Sequence, residues 1–210
     1  MSDWATISSL ATAGGTLVLA VATFASVRSA NRSARTAELA LEEQRRPVLS
    51  PSRLDDPVQK IMFIDEHWVR AAGGGAVAEH VDDTIYLAMS LRNVGAGLGV
   101  CQGWSARAGL QTTDIDHVPE DQLRAQTRDL YIPVGDIGLW QGAFRDPSEP
   151  LHPEIASAID QRQTITIDLL YTDQVGGQRT ISRFMLIPVG DDGWLTTVGR
   201  HWYLDHPGPR

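Results

Sequence analysis

The 210-residue sequence predicts a mainly β protein, an antiparallel β-sandwich preceded by one long N-terminal transmembrane and stalk helix. Three observations carry that expectation. No charged residue occurs from Trp4 to Val27, a run of 24 positions. Residues 28–46 then contain no Gly or Pro and are rich in Ala, Leu, Glu and Arg. After Pro47 the pattern changes to short apolar alternations broken by Gly, Pro and Asp, which is strand-and-turn punctuation.

The uncharged run comes first. Roughly 20 helical residues, at about 1.5 Å each, cross a hydrocarbon core. The apolar weight lies in Leu17–Phe24, and the Thr and Ser hydroxyls of the first half can bond back to the helix backbone. A core helix of a soluble protein shows a polar stripe or stops after some 10–14 apolar residues, and this run does neither. A cleaved signal peptide needs a basic leader before its apolar stretch. Here only Asp3 precedes it, while Arg28, Arg32, Arg35, Arg45 and Arg46 follow. Positive flanks stay on the cytoplasmic side. The expected placement is a single pass through the cell membrane, N-terminus outside and C-terminal domain cytoplasmic. The lone cysteine, Cys101, suits a reducing compartment and excludes an intrachain disulfide. Small residues four apart (Ala11 with Gly15, Ala22 with Ser26) leave self-association open, though an Ala/Gly-rich span produces such pairs by chance.

The stalk follows. Arg28, Arg32 and Arg35 share one helix face and are the expected membrane-flanking residues, each worth about 1 kcal/mol near anionic lipid. Val27, Ala30, Ala34, Ala37, Leu41 and Gln44 fall at alternating a/d-like positions, too few for a coiled coil, so the stalk is read as solvated. Pro47 ends the helix because it lacks an amide donor. Residues 1–46, with the span at about 4–27, form the first expected unit, and 47–210 the soluble sandwich. The first carries a net charge of +1 and the second −9, within a total of −8. An acidic body disfavours nucleic acid and stands off anionic lipid.

Expected strands are Lys60–Ile64, Thr84–Asn93, Gly99–Arg107, Leu130–Val134, Ile137–Phe144, Thr164–Thr172, Arg179–Ile187 and Trp194–Tyr203. Expected helices are Glu120–Asp129 and Pro153–Gln161, the latter with Ile155 and Ile159 on one face. Residues 164–187 read as a hairpin turning at Val175-Gly176. That register sets Ile167 against Phe184 and Ile165 against Leu186, and puts Asp168 across from Arg183 on the other face. A slip of one residue would push Arg183 onto the apolar face. As a cross-strand ion pair, Asp168–Arg183 is worth about 0.2–1 kcal/mol.

Arg46-Pro47-Val48-Leu49 after the Arg-rich helix, and Leu91-Arg92-Asn93-Val94-Gly95 at a strand end, resemble features of a large group of functionally uncharacterised bacterial membrane-anchored proteins, actinobacterial ones most closely. Ile132-Pro133-Val134-Gly135-Asp136 is similar to the turn that crosses between sheets in their sandwiches. The resemblance implies an immunoglobulin-like sandwich behind an anchor, and no activity.

Chemical motifs are weak. Gly95-Ala96-Gly97-Leu98-Gly99 is followed by strand-like Val100–Trp104 instead of the helix a phosphate loop needs, so it reads as a connection. Gly73-Gly74-Gly75 reads as a flexible hairpin loop. Cys101 falls inside a strand as a small buried hydrophobe. His67, His80, His117, His152, His201 and His206 show no metal-ligand spacing. Asp55-Asp56, Asp82-Asp83 and Asp191-Asp192 read as turn caps, and Asp114-Ile115-Asp116 offers only two of the oxygen ligands a calcium loop needs. Trp68, Trp104, Trp140, Trp194 and Trp202 are expected mostly in core packing. No catalytic residue, cofactor or metal is expected. The expected role is a non-enzymatic interaction or accessory module, with the lipid bilayer and an unidentified protein as partners. Two alternatives stand beside it: a hydrolase pairing Asp136 or Asp173 with a histidine, and the same sandwich facing the cell exterior.

Overall fold

The computed structural model describes residues 3–111 and 116–205, so Asp114, Ile115 and His206 lie outside the described residues. The chain forms two compact units, Met1–Gln44 and Arg45–Arg210.

The first unit is one continuous helix, α1 (Asp3–Glu43), 41 residues long. Every side chain from Ala13 to Leu41 is exposed, including Leu17, Leu19 and Phe24. The stretch Ala13–Glu42 is long and apolar enough to cross a membrane. Two of its hydroxyls bond back to the helix: Thr23 Oγ1 donates to the Leu19 carbonyl at 2.8 Å and Thr36 Oγ1 to that of Arg32 at 3.0 Å. The apolar stretch and the Arg-rich stretch after it are thus one continuous helix.

The boundary differs from expectation by two residues, because Arg45 and Arg46 belong to the β unit. Arg46 is buried, its guanidinium 4.4 Å from the Tyr203 ring centre, and its carbonyl accepts the Ala96 amide at 3.0 Å. Cation–π stacking and a main-chain bond draw a residue of charged type out of the stalk.

The second unit is a β-sandwich of twelve strands: β1 (Leu49–Pro51), β2 (Gln59–Met62), β3 (Trp68–Ala71), β4 (Gly75–Val81), β5 (Thr84–Asn93), β6 (Gly99–Ala108), β7 (Arg124–Ala125), β8 (Tyr131–Ile132), β9 (Ile137–Phe144), β10 (Ile165–Thr172), β11 (Thr180–Val189) and β12 (Gly193–Tyr203). Helix α2 (His152–Asp160) precedes β10. All pairings are antiparallel. One layer holds β9, β5, β4 and β1, the other β12, β11, β10, β6 and the short β7 and β8. They join where β4 meets β12 through the pairs Trp194–Ala76 and Leu195–Gly75, extended by the Thr196 amide donating to the Gly74 carbonyl at 2.8 Å. Residues Pro133–Asp136 link β8 to β9 and so cross between layers, as expected for that turn.

Alternation decides what lies inside. Ile85, Leu87, Met89 and Leu91 of β5 face Ile165, Ile167, Leu169 and Tyr171 of β10 across a core closed by Trp104, Trp140, Phe144 and Phe184. Trp104 meets Trp140 and Phe144 edge-on, at 5.3 and 5.2 Å between ring centres. Gly142 leaves room for this, since a Cβ there would lie 2.7 Å from the Trp104 ring. The outer face of β4 and β5 is covered in turn by the β2–β3 hairpin, whose Ile61, Phe63, Val69 and Ala71 pack on Val77, Tyr86 and Ala88.

The predicted hairpin register holds: Ile165 pairs with Leu186, Ile167 with Phe184 and Asp168 with Arg183. The ion pair is buried, both residues being about 1% exposed, so breaking it costs more than the ~0.2–1 kcal/mol expected of it. The segment around Asp116–Val118 folds over that face, with the Val118 amide donating to Asp168 Oδ2 at 3.0 Å and the Arg183 guanidinium to the Asp116 carbonyl at 3.1 Å.

The expected helix at Glu120–Asp129 is instead a single 3₁₀ turn, Glu120–Gln122, followed by β7. The segment has no apolar stripe to bury, and the free edge of β6 offers partners: Arg124 pairs with Trp104, and the Gln126 amide donates to the Gln102 carbonyl at 2.8 Å. Strands β1, β3, β4 and β7 were not expected. Gly73-Gly74-Gly75 is no loose loop, because a Cβ on Gly73 would collide with the Arg53 carbonyl, and Gly75 opens β4. The Gly95–Gly99 segment does connect β5 to β6.

Candidate functional site

The site follows from which way one strand edge points. Asn93 donates its amide to the Asp136 carbonyl at 3.1 Å and accepts from the Gly135 amide at 2.9 Å. Odd-numbered residues of β5 therefore aim their main-chain groups toward β9. The Ser90 carbonyl aims the other way, accepting from the Ser52 amide at 3.1 Å. Antiparallel pairs alternate between bonded and non-bonded. Leu87–Gly142 and Met89–Trp140 are then bonded pairs, and Ala88–Gln141 and Tyr86–Ala143 are non-bonded. Leu139, Gln141 and Ala143 thus turn their N–H and C=O groups away from β5. Among the described residues β5 is the only strand paired with β9, so this edge is open.

A cleft of about 440 Å³ lies against that edge, walled by Met62, Phe63 and Ile64 on one side and Gln126, Thr127 and Arg128 on the other. Its floor is Gln141, Gly142 and Ala143, and Arg145 closes one end. Gln126 Nε2 donates to the Gln141 carbonyl at 3.1 Å, which fixes the orientation of that amide. Gln126 Oε1 is left buried without a hydrogen-bond partner, and so is Gln141 Oε1. Gln141 is only 8% exposed. Two buried acceptors without donors cost about 1–3 kcal/mol each unless something supplies an N–H or O–H. The rim is basic and apolar: Ile64 is 88% exposed, and Arg128 bonds the Met62 carbonyl at 3.0 Å.

Behind the Phe63 wall runs a polar ladder. Arg145 Nε and the Tyr86 hydroxyl both donate to Asp65 Oδ2, at 3.2 and 2.9 Å. His67 stacks on Tyr86 at 4.1 Å and contacts Glu79 Oε2 at 2.8 Å. Burial raises the Asp65 carboxyl, but the Tyr86 hydroxyl and the Arg145 guanidinium outweigh it and hold it below its ordinary value. Burial and then the Asp65 carboxylate push the Tyr86 phenol up. The ladder holds Arg145 at the cleft mouth.

The residues singled out in the sequence do not meet there. Arg28, Arg32 and Arg35 lie on α1 along one face with Phe24, Val27 and Asn31. Cys101 is buried, and burial pushes its thiol up to about 12. Asp173 Oδ1 is taken by the Gly177 and Gln178 amides at 2.8 and 3.2 Å, and Asp136 Oδ1 by the Ile137 amide at 2.8 Å. His201 does reach a hydroxyl, its Nδ1 lying 2.6 Å from Ser182 Oγ. That Ser182 oxygen lies 2.8 Å from the Tyr171 hydroxyl, which accepts the Leu49 amide at 3.2 Å, and Ser182 has no exposed surface. Asp82 and Asp83, both with positive φ, form the two-residue β4–β5 turn. Trp104, Trp140 and Trp194 are buried, whereas Trp68 is 61% exposed.

Residues 46–49, 91–95 and 132–136 converge at the fully buried Asn93. Its Oδ1 accepts the Val48 and Gly95 amides at 3.3 and 3.0 Å, and its Nδ2 donates to the Gly97 and Ile132 carbonyls at 2.6 and 2.9 Å. A Cβ on Gly95 would strike the Val48 amide, and one on Gly97 the Arg45 carbonyl. This hub closes the end of the domain where the chain enters. The cleft residues Gln126, Gln141 and Ala143 carried no sequence signal, since an open edge is a property of partners elsewhere in the chain. Compared with known proteins, the chain matches no family, no curated sequence and no solved structure.

Proposed function

We propose that this chain is a single-pass protein of the cell membrane whose immunoglobulin-like sandwich lies on the cytoplasmic side as a non-enzymatic interaction or accessory module for a protein partner. The observation that carries the reading is the cleft beside the open edge of β9, with Gln126 Oε1 and Gln141 Oε1 buried and unmatched. An open edge with an adjoining pocket binds a partner without any reacting group. The exposed apolar helix supports the anchor, and Arg28, Arg32 and Arg35 after it support retention inside.

Two measurements on the full chain test this. It should stay in the membrane pellet after alkaline carbonate extraction, and a reporter fused after Arg210 should be active only in the cytoplasm. Release by carbonate, or a reporter active only outside, overturns the anchor or its orientation. A photo-reactive side chain at exposed Thr127 should give a discrete protein adduct in cells that the same group at Asp191 does not. Equal labelling from both positions counts against the cleft. Buried Cys101 is no reporter of sidedness, so thiol labelling needs a cysteine at an exposed turn, such as Val175→Cys.

A further inference from the structure

The chemistry of the cleft specifies what fills it. At its floor Ala143 offers one N–H and one C=O, both turned from β5, and Gln126 Oε1 and Gln141 Oε1 add two more acceptors. With the outward Gln141 N–H, the site thus presents three acceptors beside two main-chain donors. A phosphate or a simple carboxylate brings acceptors alone and leaves all three unmatched. An extended polypeptide brings N–H and C=O groups in alternation, at about 3.3 Å per residue, and matches both kinds. The cavity of about 440 Å³ falls in the range of pockets that bury a ligand, about 300–1,000 Å³. Among the described residues Arg128 and Arg145 line it and no carboxylate does, in a domain whose net charge is strongly negative. Met62 and Ile64 supply an apolar wall, 40% and 88% exposed.

We infer that the open edge of β9 takes up an extended, acidic peptide segment of a partner protein, added as a strand between β9 and residues 126–128. Main-chain bonds at Ala143 give affinity. An Asp or Glu of the segment meets Arg128 and Arg145, and a small apolar side chain of the segment rests on Met62 and Ile64. This rests on the interaction-module reading above and adds the class of partner.

The test uses the full chain in lipid nanodiscs and a positional-scanning library of acetylated, amidated hexapeptides. Pools with Asp or Glu at one position should bind at least about tenfold more tightly than pools with Lys there. The Ala143 amide should become protected from hydrogen exchange on binding. Ala143→Pro deletes one outward donor and leaves the β5 ladder intact, because edge strands accept proline, and it should weaken binding about tenfold. Arg128→Glu with Arg145→Glu, both on the surface, should reverse the acidic preference even if the proline variant fails to fold. N-methylation of the peptide backbone should abolish binding. The inference is overturned by no pool binding below about 1 mM, by full competition from acetate or phosphate, or by unchanged charge preference in the double variant. If the peptides fail while the reporter and cross-linking results hold, strand addition falls and the tethered module stands.

Discussion

Asp168 and Arg183 face each other across β10 and β11, joined at 2.7 and 2.8 Å by two parallel bonds and shut off from solvent. Arg107 adds a third contact to the same carboxylate at 3.1 Å, and Trp202 lies 4.8 Å over the Arg183 guanidinium. Removing Asp168 strands Arg183 in a medium that cannot solvate it, and removing Arg183 leaves the buried carboxylate only Arg107 and the Val118 amide. Arg183→Met or Asp168→Asn should therefore destabilise the domain by about 3–5 kcal/mol, against less than about 1 kcal/mol for an exposed pair. Asp168→Leu combined with Arg183→Met should recover part of the loss. Urea unfolding of the full chain in detergent measures all three, and additive single-variant losses would show that the pair does not act as a unit.

Asn93 has a different role, satisfying four main-chain groups from three segments with one amide. Asn93→Asp keeps the shape but turns the two donors to Gly97 and Ile132 into acceptors facing carbonyls. A loss of about 3 kcal/mol is expected, and Asn93→Ala should cost a similar amount. Thermal unfolding should show it. A change under about 1 kcal/mol would mean that water replaces the amide.

High pH should unfold the domain ahead of its ordinary alkaline limit. Burial raises the Cys101 thiol and the Tyr171 phenol, each to about 12, from ordinary values of 9.0 and 10.0. The folded state then holds both protons where the unfolded chain releases them. The stability contributed is complete below about pH 9 and is lost as pH rises toward 12. Tyr171→Phe should lower stability near pH 7 by about 1–2 kcal/mol, through its lost bonds to Leu49 and Ser182, yet flatten the decline above pH 10. Melting temperatures recorded from pH 7 to 11 decide it, and an unchanged slope in Tyr171→Phe would refute the assignment.

Orientation should depend on the flank that remains outside the fold. Because Arg46 is packed on Tyr203, replacing it would disturb the domain as well as the signal. Gln at Arg28, Arg32 and Arg35 together isolates the signal, and the reporter after Arg210 should then appear on both sides of the membrane. A reporter that stays one-sided would assign orientation control to some other feature.

Much of this architecture was legible in the residues themselves because it depends on local periodicity. The uncharged run from Trp4 to Val27 and the Gly-free, Pro-free stretch after it produce one helix. Alternation places β5 and β9 at the expected bounds, and the apolar match of Ile167 with Phe184 sets a register that a one-residue slip would ruin. Tertiary structure decided what depends on distant segments. Residues 120–129 have no strong preference and took their form from the free edge of β6. The Asp168–Arg183 pair is readable as a pair, but its burial comes from a loop some 50 residues earlier in the chain. The open edge of β9 exists because, among the described residues, no strand other than β5 reaches it. Side-chain periodicity is written into each strand, whereas hydrogen-bond completion at its edge and solvent exclusion over its face are settled by neighbours remote in sequence.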